Sequence, residues 1–143
     1  MARTPFPVEV LTPEGQVFEG EVEMLSTRTE VGEIGVLANY TPLLAMLQPA
    51  DLRLHLSDSD VKHFAQGEGY LQVHGNRALV LVEDCFAPDQ IDRAEQEERL
   101  RKAEAVIDEA KTPADLASAR TQQALRDRRR AETFLRIAGG GAE

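Results

Sequence analysis

The chain has 143 residues, of which 42% are hydrophobic and 29% charged, and its formal net charge at pH 7 is −9. This composition is typical of one globular domain, or of a small domain with an appendage, and it excludes fibrous and wholly disordered classes. Cys85 is the one cysteine, which excludes an internal disulfide and a multi-cysteine metal site. No apolar stretch approaches a membrane span and the first residues lack a secretory signal, so we expect the protein to stay where it is made.

The charge is distributed unevenly along the chain. Residues 1–88 carry 5 basic and 13 acidic side chains, and residues 89–115 carry 5 basic and 9 acidic ones. Residues 116–143 carry 6 arginines and 3 acids, so basic character is confined to the tail. Because the acidic remainder repels a phosphate backbone, general nucleic-acid binding is disfavoured.

Residues up to about 87 show a hydrophobic period of two that is broken by turn residues, which predicts short strands. Val8 and Val10 share one face, and the leucines of "LRLHL" at residues 52–56 do the same. Gly75 and Asn76 can take the positive φ angles of a two-residue hairpin turn. The spacing of these strands favours an antiparallel sandwich or barrel.

The stretch "GEIGVLANYTPLLAML" at residues 32–47 raises the question of a phosphate-binding loop. Such a loop needs a Gly-Lys-Ser/Thr ending, or a third glycine that opens a helix, and neither is present. We therefore interpret Gly32 and Gly35 as sites of a bend or a close strand approach. Pro42 interrupts the sheet, and we expect Leu43 and Leu44 to lead into apolar packing.

From Pro88 onward the period changes to that of helices. Asp89 is the predicted N-cap of a first helix that runs to about Ala110. Thr112 is the predicted N-cap of a second helix, with Pro113 at its first position. Alanines recur every seven residues along the second helix, at positions 117, 124, 131 and 138. We expect an antiparallel helical hairpin with a thin seam that can open.

No motif in the sequence predicts catalysis or metal binding. The three histidines, at positions 55, 63 and 74, lie in strand-like segments without the i,i+4 spacing of a metal pair. Cys85 and Ser26 are conceivable nucleophiles, but neither lies in a motif that supplies a base or an oxyanion hole. The sequence favours a protein that is not itself an enzyme and that needs no metal.

The arginine run "RDRRR" at residues 126–130 wraps around much of the second helix. One interpretation is a solvated helix face. The other is an electrostatic contact with an acidic protein surface or with nucleotide phosphate, because guanidinium groups match carboxylates and phosphates. A nucleic-acid or protein adaptor that uses this run is a third alternative, weakened by the acidity of the rest.

The order of three segments, "VEVLTPEGQVFEGEV", "GEIGVLANYTPLLAML" and "GEGYLQVHGNRALVLVEDCF", followed by two charged helices, resembles the epsilon subunit of the rotary F-type ATP synthase. The resemblance runs from about Val8 to Ala138. It implies a mainly β fold with α-helices: an antiparallel β-sandwich of about ten strands at residues 1–87 and a two-helix hairpin at residues 88–143.

The resemblance also implies a function. The protein would be a non-catalytic central-stalk subunit on the cytoplasmic face of a bacterial plasma membrane, with its sandwich docked on the gamma subunit and the c-ring. The hairpin would either lie folded on the sandwich or extend along gamma into the catalytic alpha/beta head and restrain ATP hydrolysis. In the extended form arginines of the second helix would face an acidic segment of the beta subunit, and the candidates are Arg126, Arg128, Arg129, Arg130 and Arg136.

Some members of the family bind ATP in the folded hairpin, and this chain keeps only part of that pattern. The matching positions are Ile91, Asp92 and Arg130, whereas Glu95, Gln96 and Phe134 replace an arginine, an alanine and a second arginine. We expect no resident cofactor and weak or no ATP binding, with an ATP-sensing module as the alternative function. A further departure is Ala38-Asn39-Tyr40, where many members have Pro-Gly-His.

Overall fold

The computed structural model describes residues 3–139, and in this part of the chain ten strands precede three α-helices. The strands are β1 (Phe6–Thr12), β2 (Gly15–Val22), β3 (Met24–Thr29), β4 (Gly32–Val36), β5 (Leu43–Leu47), β6 (Ala50–Ser57), β7 (Asp60–Gln66), β8 (Gly69–His74), β9 (Arg77–Val82) and β10 (Cys85–Phe86). The helices are α1 (Arg93–Glu109), α2 (Pro113–Ala117) and α3 (Ala119–Ala138). The predicted fold, a β-sandwich followed by C-terminal helices, is confirmed.

The strands form one sheet in the order β10-β7-β6-β3-β5-β8-β9-β1-β2, with β4 paired to β3. Strands β3 and β5 meet through the pair Thr29 and Leu47, and this short junction separates two halves of the sheet. Neighbouring strands are antiparallel where hairpins join them, as predicted. Strands β1 and β9 run parallel, which their long connection through most of the sandwich sequence permits.

The core of the sandwich consists of alternate side chains from both halves of the sheet. Leu52 and Leu54 are fully buried, whereas the intervening Arg53 and the following His55 are partly exposed, so the period of two predicted for this strand is confirmed. The buried core contains Phe6, Val8, Val10, Val22, Leu25, Val36, Leu47, Leu52, Leu54, Leu71, Val73, Ala78, Val80, Val82 and Cys85.

The predicted turns are also present. Gly75 and Asn76 join β8 to β9 with φ angles of 59° and 60°, which is the conformation that a two-residue hairpin turn requires. The glycine-containing stretch at residues 32–47 is a strand, a connection and a second strand. Gly32 has a φ of 134°. Glycine adopts this positive φ without a steric clash because it has no Cβ, and it thereby allows the tight turn between β3 and β4.

Helix α1 begins three residues later than predicted. Asp92 is its N-cap, and the Asp92 carboxylate accepts a 3.1 Å hydrogen bond from the backbone N–H of Glu95. The prediction of Asp89 as the N-cap is wrong, since Asp89 lies inside the 3-10 turn Pro88–Gln90. Because Asp89 is part of that turn, it does not stand at the helix start. Asp92, three residues before Glu95, caps the helix instead.

The predicted second helix is interrupted at Ser118. Its start is correct, because Thr112 caps α2 in a capping box with Pro113 in the first turn. Ser118 then has an extended backbone, with φ −66° and ψ 151°, and it both ends α2 and caps α3. Its hydroxyl donates to the Asp115 carbonyl at 2.8 Å and accepts from the Thr121 N–H at 3.2 Å. One serine thus satisfies polar groups at two helix ends.

Helices α1 and α3 pack as an antiparallel pair, which we call the helical hairpin. Gln96 contacts Arg130 near one end of the pair, and Glu109 contacts Arg120 near the other. Ala124 and Ala131 are buried, whereas Ala117 is exposed in α2. The chain divides between Ala87 and Pro88 into two compact units, the sandwich and the helical unit.

Candidate functional site

The arginine run on α3 contains side chains in different environments. Arg126 and Arg129 are exposed, Arg128 is half-buried and Arg130 is buried. Arg136 is exposed in the last turn of α3. The run is therefore neither a wholly solvated face nor a single basic patch, since it combines surface cations with one guanidinium packed inside the helical unit.

Arg130 is held by groups from both helices of the hairpin. It is 7% exposed, and its Nη1 donates to Gln96 Oε1 of α1 at 3.3 Å. Its guanidinium carbon lies 4.4 Å from the centroid of the Phe134 ring, one turn further along α3. A stacked cation of this kind contributes about 0.5–2 kcal/mol to the stability of α3. The bond to Gln96 is the contact by which Arg130 links the two helices.

The other two residues of the partial nucleotide pattern lie at the start of α1. Ile91 is half-buried, and Asp92 is exposed but uses its carboxylate as the helix N-cap. Glu95, which stands in place of an arginine, forms an ion pair with Arg99 at 3.1 Å. Asp92 and Arg130 thus make structural contacts within the helical unit. The Glu95 carboxylate would repel a nucleotide phosphate, which binds best to cations.

A groove of about 370 Å³ lies between α1 and α3. Cations from both helices line it together with one acid and small apolar side chains. They are Arg99, Lys102, Arg120, Arg130, Asp127, Gln123, Ala103, Ala124 and Val106. Ala103 and Ala124, which line the groove, are buried. Because both side chains are small, they bury little apolar area each, and their contribution to the stability of the seam is limited.

Two histidines of the sandwich contact polar side chains, but these contacts do not join into a Ser-His-Asp relay. Ser26 Oγ lies 3.5 Å from His55 Nε2, whereas Asp51 Oδ2 lies 3.1 Å from His63 Nδ1. The histidine that contacts the serine and the histidine that contacts the carboxylate are thus different residues. Burial and the neighbouring Arg53 lower the pKa of His55, so this imidazole is mostly neutral near pH 7.

Cys85 lies in the interior of the sandwich. Burial, with the nearby Asp84 carboxylate, raises the pKa of its thiol to about 12. The thiol therefore stays protonated at neutral pH and is a poor nucleophile. Within residues 3–139, no three side chains among His, Cys, Asp and Glu are grouped to hold a metal ion.

The connection between β4 and β5 contains an asparagine in a left-handed conformation. Asn39 has a φ of 61°, and its backbone N–H donates to Asn76 Oδ1 at 2.7 Å. The resemblance places glycine at this position in many members, and asparagine is among the residues that best tolerate such a φ. The departure at Ala38-Asn39-Tyr40 thus keeps the backbone conformation and adds a contact to the β8–β9 turn.

The sequence did not indicate an exposed apolar surface on β5, β8 and β9. Leu43 packs against the core as expected, but its neighbour Leu44 is 70% exposed, so the expectation of apolar packing is wrong for Leu44. Met46, Tyr70 and Leu81 are also exposed. In "PLLAML" both faces of the strand are apolar, so alternation alone cannot identify the outer one.

Comparison with protein families gives one match that covers the sandwich. The family model for ATP synthase, Delta/Epsilon chain, beta-sandwich domain, matches residues 5–88. The ATP synthase epsilon chain of Persephonella marina is 37% identical over 134 residues, which are 94% of this chain and 96% of that relative. The epsilon chain of Priestia megaterium is 38% identical over 101 residues, or 71% of this chain and 75% of that one.

Two solved structures share the fold. A chain of the Euglena gracilis mitochondrial ATP synthase, solved as OSCP/F1/c-ring, has a TM-score of 0.71 and 18% identity, and the match covers 89% of this chain and 77% of that one. A chain of the central stalk and c-ring of the Tetrahymena thermophila mitochondrial ATP synthase has a TM-score of 0.58 and 18% identity over 100% of both chains. At this identity the two structures establish similarity of fold.

Proposed function

Because this chain belongs to the family of epsilon subunits of the F-type ATP synthase, we propose that it is a rotor-stalk subunit that couples c-ring rotation to the catalytic head. The resemblance noted in the sequence is thereby confirmed. Epsilon chains are non-catalytic subunits of the complex. The observation that carries the proposal is the match to an epsilon chain over 94% of this chain, which includes both the strands and the helices.

We assign docking on the rotor to the sandwich, residues 1–87, with the gamma subunit and the c-ring as its partners. A sandwich with one continuous buried core is a rigid body, which a part that transmits torque requires. The 13 acids of residues 1–88 outnumber the 5 basic residues. Such a surface complements basic partners and repels nucleic acid.

We assign regulation to the helical unit, residues 88–143. Its seam depends on small side chains such as Ala124 and Ala131, and on the contacts of Arg130. A pair of helices with limited apolar contact can exchange a closed arrangement for an open one at a cost of a few kcal/mol. In the open arrangement α3 would extend into the catalytic head and restrain ATP hydrolysis.

The exposed arginines are our candidates for the contact with the head. Arg126, Arg129 and Arg136 are already on the surface of α3, and Arg128 is half-buried. Their partner would be an acidic segment of the catalytic beta subunit, which bidentate guanidinium groups bind well. Arg130 would join them only after the hairpin opens, because it is buried in the closed arrangement and donates there to Gln96 of α1.

We place the protein at the periphery of the membrane, on the cytoplasmic face of a bacterial plasma membrane. Its relatives with more than one third identity include chains from Persephonella marina and Priestia megaterium. Among the helices of residues 3–139, none has the length and apolar character needed to cross a bilayer. Attachment through the rotor accounts for a peripheral position.

Reconstitution tests the proposal. Purified chain is mixed with an F-type ATPase complex that lacks its epsilon subunit, and gel filtration shows whether the chain elutes with the complex. We expect stoichiometric association and slower ATP hydrolysis. The alpha/beta head without gamma is the control, and we expect no stable complex with it. A chain that does not bind the gamma-containing complex contradicts the proposal.

A further inference from the structure

The connection between α1 and α3 has extended backbone at both of its ends. Ala110, the C-cap of α1, has φ −80° and ψ 105°, and Ser118, the N-cap of α3, has φ −66° and ψ 151°. Both conformations lie outside the helical region, so helical geometry is interrupted at each point. We call residues 110–118 the hinge segment, because rotation about its two ends moves α3 relative to α1 without bending either helix.

The contacts between the two helices are weak next to the hinge segment. Arg120 Nη1 lies 3.1 Å from Glu109 Oε1, and these side chains are 67% and 66% exposed. An ion pair this exposed contributes little, because water screens both charges. The groove between the helices follows, and its buried lining residues Ala103 and Ala124 are small. This half of the seam therefore offers limited resistance to separation of the helices.

At the far end of the pair, one hydrogen bond joins two buried side chains. Arg130 Nη1 of α3 donates to Gln96 Oε1 of α1 at 3.3 Å, and the two residues are 7% and 3% exposed. A hydrogen bond that a cation donates is stronger than a neutral one. Loss of the acceptor would leave a buried cation with one bond fewer, which is costly away from water. This contact therefore resists separation more than the exposed ion pair does.

The position of this hydrogen bond makes it sensitive to opening. Gln96 lies near the start of α1, and at 1.5 Å per residue it is about 20 Å along the helix from Glu109. A rotation of about 10° at the hinge segment moves this end of α3 by about 3–4 Å. Such a displacement exceeds the reach of a hydrogen bond. The hairpin consequently cannot open without breaking the bond between Gln96 and Arg130.

The acceptor of this bond is neutral although acids surround it in the sequence. In "EQEE" at residues 95–98 the three glutamates are exposed and the glutamine is buried. A glutamate has the same shape as a glutamine but would meet the Arg130 guanidinium with a full negative charge. The amide thus gives a contact that favours the closed hairpin and that still breaks at moderate cost, as an exchange between two arrangements requires.

We infer that Gln96 and Arg130 form the latch of the helical hairpin: their hydrogen bond sets the ratio of closed to open hairpin and, through it, the strength of inhibition. The inference rests on the proposed regulatory role of the helical unit and adds the residues that control it. The latch predicts opposite effects of two changes at one position. An apolar residue in place of Gln96 favours the open hairpin, and a carboxylate there favours the closed one.

Thiol labelling of the full chain measures how often the hairpin opens. Ala131→Cys places a reporter at a fully buried position of α3, where a thiol reagent has access only after opening. In this background we expect Gln96→Leu to raise the labelling rate about tenfold or more, and Gln96→Glu to lower it about tenfold. The native Cys85 is buried in the sandwich, so its labelling rate reports unfolding of the sandwich and should not change.

Two controls distinguish a latch from a general loss of stability. Gln123→Leu makes the same change at a glutamine of α3 whose contact with Arg126 lies within one helix, and we expect it to leave the labelling rate unchanged. In a chain with Arg130→Met, the change Gln96→Glu should no longer slow labelling, because the cation is absent. Circular dichroism verifies the helices of every variant. If Gln96→Leu and Gln96→Glu both accelerate labelling, position 96 serves packing alone and the inference is overturned.

The rate of ATP hydrolysis connects the latch to regulation. When the epsilon-depleted complex is saturated with each chain, Gln96→Leu should inhibit more strongly than the unmodified chain and Gln96→Glu more weakly. Labelling rates that neither change alters overturn the inference and leave the proposed function intact. Equal inhibition by the three chains, with labelling rates that differ as expected, overturns the link between opening and inhibition. If no chain inhibits, the proposed regulation is wrong, even where the labelling rates establish the latch.

Discussion

The guanidinium carbon of Arg130 lies 4.4 Å from the centroid of the Phe134 ring. The two residues are four positions apart on α3, so one helical turn brings them together. Arg130 also reaches Gln96 on α1 at 3.3 Å, and the stack therefore lies where the two helices meet. This arrangement gives a cation of the arginine run a role in holding the hairpin closed.

The stack predicts a measurable coupling between the two side chains. In a double-mutant cycle with Arg130→Met and Phe134→Leu, we expect a coupling free energy of about 0.5–2 kcal/mol, because each change removes the same contact. Thermal unfolding of the full chain, followed at a helix-sensitive wavelength, gives the four free energies. Arg126→Met with Phe134→Leu is the control cycle, and its two effects should add. A coupling near zero in the first cycle contradicts the stabilising role of the stack.

Ser118 predicts a change in helix continuity. Its hydroxyl caps α3 and satisfies Asp115 in α2, whereas alanine has the highest helix propensity and no side chain to cap with. We expect Ser118→Ala to fuse α2 and α3, so that the 13Cα chemical shifts of residues 117–120 become helical. The matched change Thr112→Ala should instead fray α2 and cost about 1 kcal/mol. Unaltered shifts in Ser118→Ala would show that other contacts impose the break.

The partial nucleotide pattern predicts weak or absent ATP binding. Glu95 is paired with Arg99 at 3.1 Å, and Phe134 is occupied by its stack with Arg130. Each charge-assisted hydrogen bond that is missing removes about 1.5–3 kcal/mol of binding free energy. Calorimetry of the full chain should therefore detect no saturable heat at millimolar ATP. A saturable signal that Arg130→Met removes would establish the ATP-sensing alternative.

The left-handed conformation of Asn39 predicts a residue preference. With a φ of 61°, alanine at this position should destabilise the sandwich by about 1 kcal/mol, and glycine should be close to neutral. Urea denaturation of Asn39→Ala and Asn39→Gly measures the difference. The backbone hydrogen bond to Asn76 is available in both variants, so the comparison isolates the strain. Equal stability of the two variants would argue against a strained backbone here.

Much of the fold could be predicted because local chemistry determines it. The alternation around Leu52 and Leu54 identifies a strand, Gly75-Asn76 identifies a hairpin turn, and Thr112-Pro113 identifies a helix start. In each case the structure shows the expected conformation. These signals depend on a few neighbouring residues, and tertiary contacts do not oppose them.

Other features depend on contacts that the sequence pattern does not reveal. The sequence predicts Asp89 as the cap of α1, but the 3-10 turn after the last strand includes Asp89, and Asp92 caps the helix instead. The arginine run at residues 126–130 contains four arginines that residue type cannot distinguish. Which of them is buried depends on its position around the helix axis, relative to Ala131 and Phe134. For Arg130 a signal did exist, namely the aromatic residue one turn later. For Leu44 there was none, because both faces of its strand are apolar.

The proposed regulation by the helical unit can be separated from docking by three chains. The first is the full chain, the second ends at Ala87, where the sandwich ends, and the third is a full-length variant with Arg126, Arg129 and Arg136 replaced by alanine. All three keep the sandwich and should bind the gamma-containing complex with similar affinity. Only the full chain keeps both the helices and their exposed cations.

The most direct measurement is the rate of ATP hydrolysis by the epsilon-depleted complex, saturated in turn with each of these chains. We predict that the full chain lowers the rate, that the chain ending at Ala87 binds without lowering it, and that the arginine variant inhibits more weakly than the full chain. Equal inhibition by the full and truncated chains would contradict a regulatory helical unit. A rate that the bound full chain leaves unchanged would contradict it as well.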